Sequence, residues 1–262
     1  MKRLVRGIIR RVRGNGVNRV NKLDFNATYS NLVKSLKNSH ETDRAMELAV
    51  GGDFKPFGAL ELETLKHFGL KEDSYVIDVG CGSGRLAKPL SSYLKGPYLG
   101  IDIVPELVEH AKTIVGRPDW RFAVAEGLRI PEKDGVADFV CFFSVFTHLL
   151  LEQTYVYLQE AKRVLKPGGR VVFSFVDLSV PDHWQVFEFT VADLEVNSQP
   201  LNMFFGEDAI RAWARHLELD VHAIQRGDEP YVPLTEPIVF ESGAVIENLG
   251  TLGQSVGVLQ KK

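Results

Sequence analysis

Ten residues, Val76-Ile77-Asp78-Val79-Gly80-Cys81-Gly82-Ser83-Gly84-Arg85, restrict the fold of this chain more than any other stretch. A β-branched run followed by glycine at every second position reads as a strand that turns sharply into a helix. Glycine lets the backbone pass close to a ligand, and the helix that follows presents free N–H groups at its N-terminus. The loop therefore suits a polar, partly anionic cofactor. The dinucleotide fingerprint G-x-G-x-x-G is broken, because Arg85 stands where its third glycine would be. A phosphate-binding P-loop is excluded too, since Arg85-Leu86 replaces its lysine and hydroxyl pair.

Downstream, short β-branched runs alternate with helical segments, the pattern of parallel βαβ units. Strands are expected at about 75–79, 98–102, 120–124, 137–142 and 169–175, with helices at about 86–93, 105–115 and 153–165. Lys166-Pro167-Gly168-Gly169 is read as the turn into the fifth strand, because proline stops the helix and glycine permits a positive φ. Beyond 175 the pattern loosens: an insertion at 179–200, a helix at 206–217, and strands at 221–225 and 255–260. The expected fold is α/β, a Rossmann-like doubly wound sheet of seven mostly parallel strands, the last one antiparallel, preceded by a helical segment. In domain terms this gives a tail over 1–22, a helical cap over 23–72 and a principal domain over 73–262. Insertions fall at about 177–205 and 227–253. Within the cap, helices are expected at about 27–36, 41–50 and 57–68, and the turn-rich Gly51-Gly52-Asp53-Phe54-Lys55-Pro56-Phe57-Gly58 reads as a lid or a plain connector.

The chain has 262 residues and a formal net charge of -3, which gives no whole-molecule attraction to nucleic acid, and none is expected as a partner. Its two cysteines, Cys81 and Cys141, have neither metal-site nor disulfide-framework spacing, so no metal is expected and a reducing cytoplasm fits. No apolar run is long enough to cross a membrane, and the N-terminus is too interrupted by charge for a signal-peptide core. Leu4, Val5, Ile8, Ile9 and Val12 fall three and four apart opposite Lys2, Arg3, Arg6, Arg10, Arg11 and Arg13, a basic amphipathic helix. One reading of residues 1–14 is peripheral attachment to an anionic membrane surface at the inner face of the cell membrane; the other is a solvated tail or a helix docked on its own domain.

Asp102 closes the second strand, in Tyr98-Leu99-Gly100-Ile101-Asp102-Ile103, where a carboxylate can accept hydrogen bonds from two ribose hydroxyls. With the glycine loop this makes the chain resemble the class I S-adenosylmethionine-dependent methyltransferases, and the resemblance runs for nearly a hundred residues from Tyr75. It implies S-adenosyl-L-methionine as cofactor, with the backbone of Gly80, Cys81, Gly82, Ser83, Gly84 and Arg85 against its methionine part. It implies further that Asp78 anchors the amino group and that Asp102, followed by Ile103, takes the ribose. Glu126, in Val124-Ala125-Glu126-Gly127-Leu128, is placed by the resemblance at the adenine amino group, with Gly127 beside it; the family more often has aspartate there. Ser144, at the exit of the fourth strand, would lie between cofactor and acceptor, and Arg163-Val164-Leu165-Lys166-Pro167-Gly168-Gly169-Arg170 matches the family's entry to strand five.

Methyl transfer from a sulfonium is an in-line displacement, so alignment is the main requirement. A hydroxyl acceptor still profits from a general base, and His148 is the first candidate, the alternative being a histidine that orders its loop. His183 or Asp177, after strand five, are further candidates as base or binder. Tyr29, Phe54, Phe57 and Trp184 are candidates to close over the acceptor. Gly51-Gly52-x-Phe54, the Tyr98–Asp102 strand and Gly253-Gln254-Ser255-Val256 also look similar to bacterial methyltransferases of surface-polysaccharide and glycolipid pathways. That similarity implies O-methylation of a glycan hydroxyl. A small-metabolite acceptor is the competing reading, an RNA acceptor a weaker one, and a cofactor-binding sensor or assembly subunit the reading without catalysis.

Overall fold

The computed structural model describes residues 25–194 and 200–262. The basic N-terminal segment, on which the expectation of a membrane partner rests, lies outside the described residues. Three helices come first, α1 (Phe25–Lys37), α2 (Thr42–Ala49) and α3 (Phe54–His67). The alternating unit follows as β1 (Val76–Val79), α4 (Ala87–Tyr93), β2 (Tyr98–Asp102), α5 (Pro105–Val115), β3 (Arg121–Val124), β4 (Ala137–Phe142), α6 (Leu151–Val164) and β5 (Leu165–Phe175). Then come α7 (Pro181–Ala192), α8 (Glu207–His216), β6 (Leu219–Gln225), four two-residue strands β7–β10 between Val232 and Gly250, and β11 (Ser255–Lys261).

Seven strands form one sheet in the order β3-β2-β1-β4-β5-β11-β6. The final strand β11 runs antiparallel to both β5 and β6 and is inserted between them, as the Ser255–Phe175 and Val256–Gln225 pairings show. The remaining pairings among β1–β5 are parallel, so the carboxyl ends of β1, β2 and β4 open on the same edge. Strand order reverses direction at β1 and β4, and the crevice outside that reversal is where open α/β sheets bind ligands.

Both faces of the sheet are covered. One carries α6 and α8, packed through Tyr157, Leu158, Ile210 and Ala214 onto Ile77, Val140, Phe142 and Phe173. The other carries α3 and α4, packed through Leu60, Leu65 and Leu90 onto Val76, Cys141, Val172 and Val258. The expected cap is thus divided: α3 belongs to the core of the layered domain, whereas α1 and α2 meet it through a small separate cluster of Val33, Met46, Ala49, Val104 and Leu107.

Several local expectations are sharpened. Helix α3 starts at Phe54, leaving only 51–53 as connector, with Gly51 and Gly52 at φ 70° and 68°. The Lys166–Gly169 turn is a bulge inside β5: pairing with β4 begins at Leu165–Ala137 and resumes at Arg170–Phe139, with Gly168 at φ 80°. The insertion after β5 contains a full helix, α7. The 227–253 segment folds as short hairpins whose Ile238, Phe240 and Leu252 pack on the α3 face. Among the described residues no helix is long and apolar enough to cross a membrane.

Candidate cofactor and acceptor site

At the end of β1, Gly80, Gly82 and Gly84 all have positive φ, 77°, 53° and 96°. Two of them are also sterically required. A Cβ on Gly80 would lie 2.3 Å from Val145 Cγ2, and one on Gly82 would lie 2.4 Å from Val50 Cγ1. The loop is therefore clamped between the exit of β4 and the end of α2. Its first amides are held by β2, since Gly80 N and Cys81 N both donate to the Ile101 carbonyl at 2.7 and 3.0 Å.

Asp78 sits beneath the loop, fully buried, and its Oδ2 accepts from the Tyr98 hydroxyl at 2.8 Å. Burial pushes its carboxyl up to about 7, the Tyr98 hydrogen bond acting in the opposite sense. Asp102 is also buried. It accepts from Gly82 N through Oδ2 and from Val104 N through Oδ1, each at 2.9 Å, and burial raises its carboxyl above the usual range against these backbone hydrogen bonds. Ile103 extends from it onto the α1–α2 cluster.

Ser83 and Arg85 face the helical segment, whereas Cys81 lies against Gly100 of β2. Ser83 Oγ donates to the Met46 carbonyl at 2.9 Å. Cys81 is buried, and burial holds its thiol well above the ordinary cysteine value. Arg85 is a strut: its guanidinium donates to the carbonyls of Val50 and Gly51 at 3.1 and 2.9 Å and pairs with Glu61 of α3 at 2.5 Å. Glu61 is itself buried, and that desolvation raises its carboxyl even though Arg85 opposes the shift. Val50, Met46 and Glu61 were not singled out in the sequence; their helical spacing gave no sign of a contact with a loop thirty residues away.

After β3, Glu126 and Gly127 are exposed, with Gly127 at φ 68° and its carbonyl accepting from the Tyr157 hydroxyl at 3.3 Å. Burial, and then the nearby charge of Asp102, push the Tyr157 phenol up to about 12. The same two causes raise the Tyr29 phenol, so α1 also brings an aromatic hydroxyl toward Asp102. Tyr29 in turn lies edge-on to His148, ring centroids 5.7 Å apart.

At the exit of β4, Ser144 is a non-glycine residue at φ 57°, a conformation that costs energy and here is over-determined by its neighbours. Its N–H donates to the buried Ser174 Oγ at 2.7 Å, and its Oγ lies 3.4 Å from Gln254 Oε1. Val145 follows against Gly80, and His148 ends the short helical turn Phe146–His148. Because a carbonyl only accepts, the 2.7 Å contact between His148 Nδ1 and the Leu201 oxygen fixes the proton on Nδ1. Desolvation lowers the imidazole below its usual value.

His183 differs. Its Nδ1 accepts from Asp177 N at 2.9 Å and its Nε2 donates to the Gly253 carbonyl at 2.9 Å, so both ring nitrogens are engaged in a buried brace. Asp177 accepts from Ser179 N at 2.8 Å. Trp184 is exposed on α7, while Phe54 is buried and Phe57 packs edge-on to Phe240 with the Arg85 guanidinium 5.9 Å from its ring centroid. Gln254 is the residue that sequence reasoning missed: the Gly253-Gln254-Ser255 motif was noted, but only the β11 pairing brings it to Ser144.

Residues 77–173 match the family model described as a methyltransferase domain. The chain is 28% identical over 182 residues to a ribosomal protein L11 methyltransferase of Clostridium botulinum, covering 62% of this chain and 56% of the relative. It is 32% identical over 114 residues to a malonyl-[acyl-carrier protein] O-methyltransferase of Hahella chejuensis, covering 43% and 39%. A ubiquinone biosynthesis O-methyltransferase of Xylella fastidiosa is 24% identical over 214 residues, 76% of this chain and 85% of that one. The chain spans about half the length of the first of these relatives. Among solved structures, the magnesium protoporphyrin IX methyltransferase of Synechocystis PCC 6803 with bound SAH superimposes with a TM-score of 0.59 at 14% identity, covering 92% of this chain and 98% of that one. Matched family model, sheet order and glycine-loop geometry agree: residues 77–173 form a methyltransferase domain of the class I S-adenosylmethionine-dependent type.

Proposed function

We propose that this chain transfers the methyl group of S-adenosylmethionine to a hydroxyl, with His148 as general base, and that the hydroxyl belongs to a saccharide or glycolipid. One observation carries the base assignment. The Leu201 carbonyl holds the His148 proton on Nδ1, which leaves the Nε2 lone pair as the ring's basic position. Desolvation keeps that ring neutral at physiological pH, the state a base requires.

The cofactor cradle fits on the chemistry of its donors. Asp78 and Asp102 are buried carboxylates at the edge of a loop stripped of side chains, suited to the ammonium and to a ribose diol. Both Asp102 oxygens accept from backbone N–H groups, and a carboxylate's lone pairs leave room for hydroxyl hydrogens as well. The exposed Glu126 and the Gly127 backbone would border the adenine. Arg85 serves the site indirectly, by tying the α2–α3 connection to the loop. When bound, the cofactor supplies an electrophilic methyl carbon. The protein's part is to orient a hydroxyl in line with it, take up the hydroxyl proton at Nε2 and exclude water.

Two relatives named as O-methyltransferases support transfer to oxygen. Support for a saccharide comes from the sequence similarity around Gly51-Gly52-x-Phe54 and Gly253-Gln254-Ser255-Val256 and from the basic residues 1–14, which would suit lipid-carried acceptors at a membrane face. The test is incubation with methyl-labelled cofactor and a panel of free sugars, alkyl glycosides and glycolipids. A labelled methyl ether is expected, and label only on amines, carboxylates or RNA refutes the proposal.

A further inference from the structure

Helix α7 is amphipathic in the wrong sense for a helix packed on a domain. Its inward side carries polar residues: His183 and Asp193 are 3% and 5% exposed, and Thr190 Oγ1 accepts from Asn202 Nδ2 at 3.1 Å. Its outward side carries Trp184, Phe187, Val191 and, just past the helix, Leu194, spaced three and four apart on one face. Trp184, Val191 and Leu194 are 47%, 48% and 67% exposed. A contiguous exposed apolar stripe of this kind marks a binding surface.

The stripe is continuous with the proposed reaction centre. Phe187 stacks edge-on against Phe204 at 5.4 Å, Met203 N donates to the Thr147 carbonyl at 2.8 Å, and Leu201 is the residue that holds His148. An occupant of α7 therefore lies beside the irregular segment, Leu201 to Phe204, that positions the base. Charge narrows what that occupant is. Among the described residues around α7 the accessible acidic side chains are Asp177, Asp182 and Glu188, and the sequence 177–205 contains no lysine or arginine. Such a surface repels phosphate-bearing ligands and anionic bilayers, but not an uncharged apolar group.

We infer that the outward stripe of α7 receives the uncharged apolar part of the methyl acceptor while its hydroxyl end reaches His148. This rests on the proposed hydroxyl transfer for its second half only, because the apolar contact is measurable without turnover. The test is tryptophan fluorescence of the full chain titrated with octyl β-glucoside below its micelle concentration. Glucose, dodecyl phosphate and phosphatidylglycerol vesicles serve as comparisons, and Trp184→Phe removes the reporter. A saturable blue shift with octyl glucoside is expected, absent with glucose, much weaker with both anionic probes, and lost in the Trp184→Phe chain. Val191→Asp, at an exposed position, is expected to raise the half-saturation concentration about tenfold or more, as loss of about 1.4 kcal/mol of apolar contact would, while calorimetric binding of S-adenosylhomocysteine is unchanged. No shift below micelle formation, an equal response to the anionic probes, or a Val191→Asp chain that binds normally overturns the inference. Octyl glucoside that binds on α7 but is never methylated, with label going instead to amines or carboxylates, overturns the hydroxyl reading and leaves the surface standing.

Discussion

The exits of β1 and β2 and the exits of β4 and β5 solve opposite problems at one edge of the sheet. The first pair buries two carboxylates, Asp78 and Asp102, and closes over them with a loop clamped by Val145, Val50 and Arg85. The second pair offers a histidine with one engaged nitrogen, a strained serine and an exposed apolar helix. A fixed, cationic ligand rewards the first arrangement, because buried anions gain most from a partner of fixed position. A variable acceptor rewards the second. The two histidines condense the contrast: His183 uses both ring nitrogens to brace Asp177 to Gly253, and His148 uses one.

That contrast can be broken most sharply at His148. His148→Ala is expected to lower kcat by roughly 10²–10⁴-fold, while S-adenosylhomocysteine binding measured by calorimetry stays within about twofold, as does the melting temperature within a few degrees; equal loss of binding and turnover would make His148 a loop-ordering residue. Next in size is the strut. Glu61→Ala leaves the Arg85 guanidinium part-buried without its carboxylate and is expected to cost about 3 kcal/mol in denaturant unfolding. The same change should weaken cofactor binding, because the glycine loop loses its anchor to α3.

His183→Phe is expected to cost about 1–3 kcal/mol by stranding the Asp177 N–H and the Gly253 carbonyl, with the acid limb of the kcat profile unmoved. A shifted limb would show that His183 and not His148 carries the proton. The smallest effect is a pH dependence on the cofactor side. With Asp78 at about 7 in the folded apoprotein, between pH 6 and 8 its ionised fraction rises about tenfold, and affinity for S-adenosylhomocysteine should rise in step. The sign for stability is opposite. A carboxyl raised by folding stabilises the apoprotein below its unfolded value, and that contribution is lost as pH rises toward 7, so unfolding of the apoprotein should become easier over that window. Asp78→Asn should flatten both dependences. On the acceptor side, the lowered His148 value places the acid limb of kcat below the usual imidazole range, so the two limbs separate.

Much of the sheet was legible because each of its signals is local. Periodicity and glycine placement located β1, β2 and β4 to within a residue, and Lys166-Pro167-Gly168-Gly169 marked the start of β5 even though it folds as a bulge. Helix α7 was not legible as a helix, since its one buried side chain is the polar His183 while Trp184 and Val191 are exposed, so no apolar inward stripe reveals it as a surface helix. The short hairpins between Val232 and Gly250 escaped for a different reason: two-residue strands carry no period.

For the candidate site, the turn at Gly80, Gly82 and Gly84 and the places of Asp78 within β1 and Asp102 at the end of β2 could be read directly, because a glycine at positive φ and a carboxylate on a strand are properties of a few adjacent residues. Arg85 could be read as the break in a dinucleotide fingerprint but not as a strut to Glu61, Val50 and Gly51. Which of two histidines keeps a free nitrogen was decided by carbonyls at Leu201 and Gly253, each more than fifty residues from its imidazole. Sequence determined the strand-to-loop geometry that makes a cofactor edge, because backbone conformation follows from neighbouring residues. Tertiary structure alone decided protonation, burial and exposure along that edge, because those depend on which distant groups the packed sheet brings within hydrogen-bonding reach.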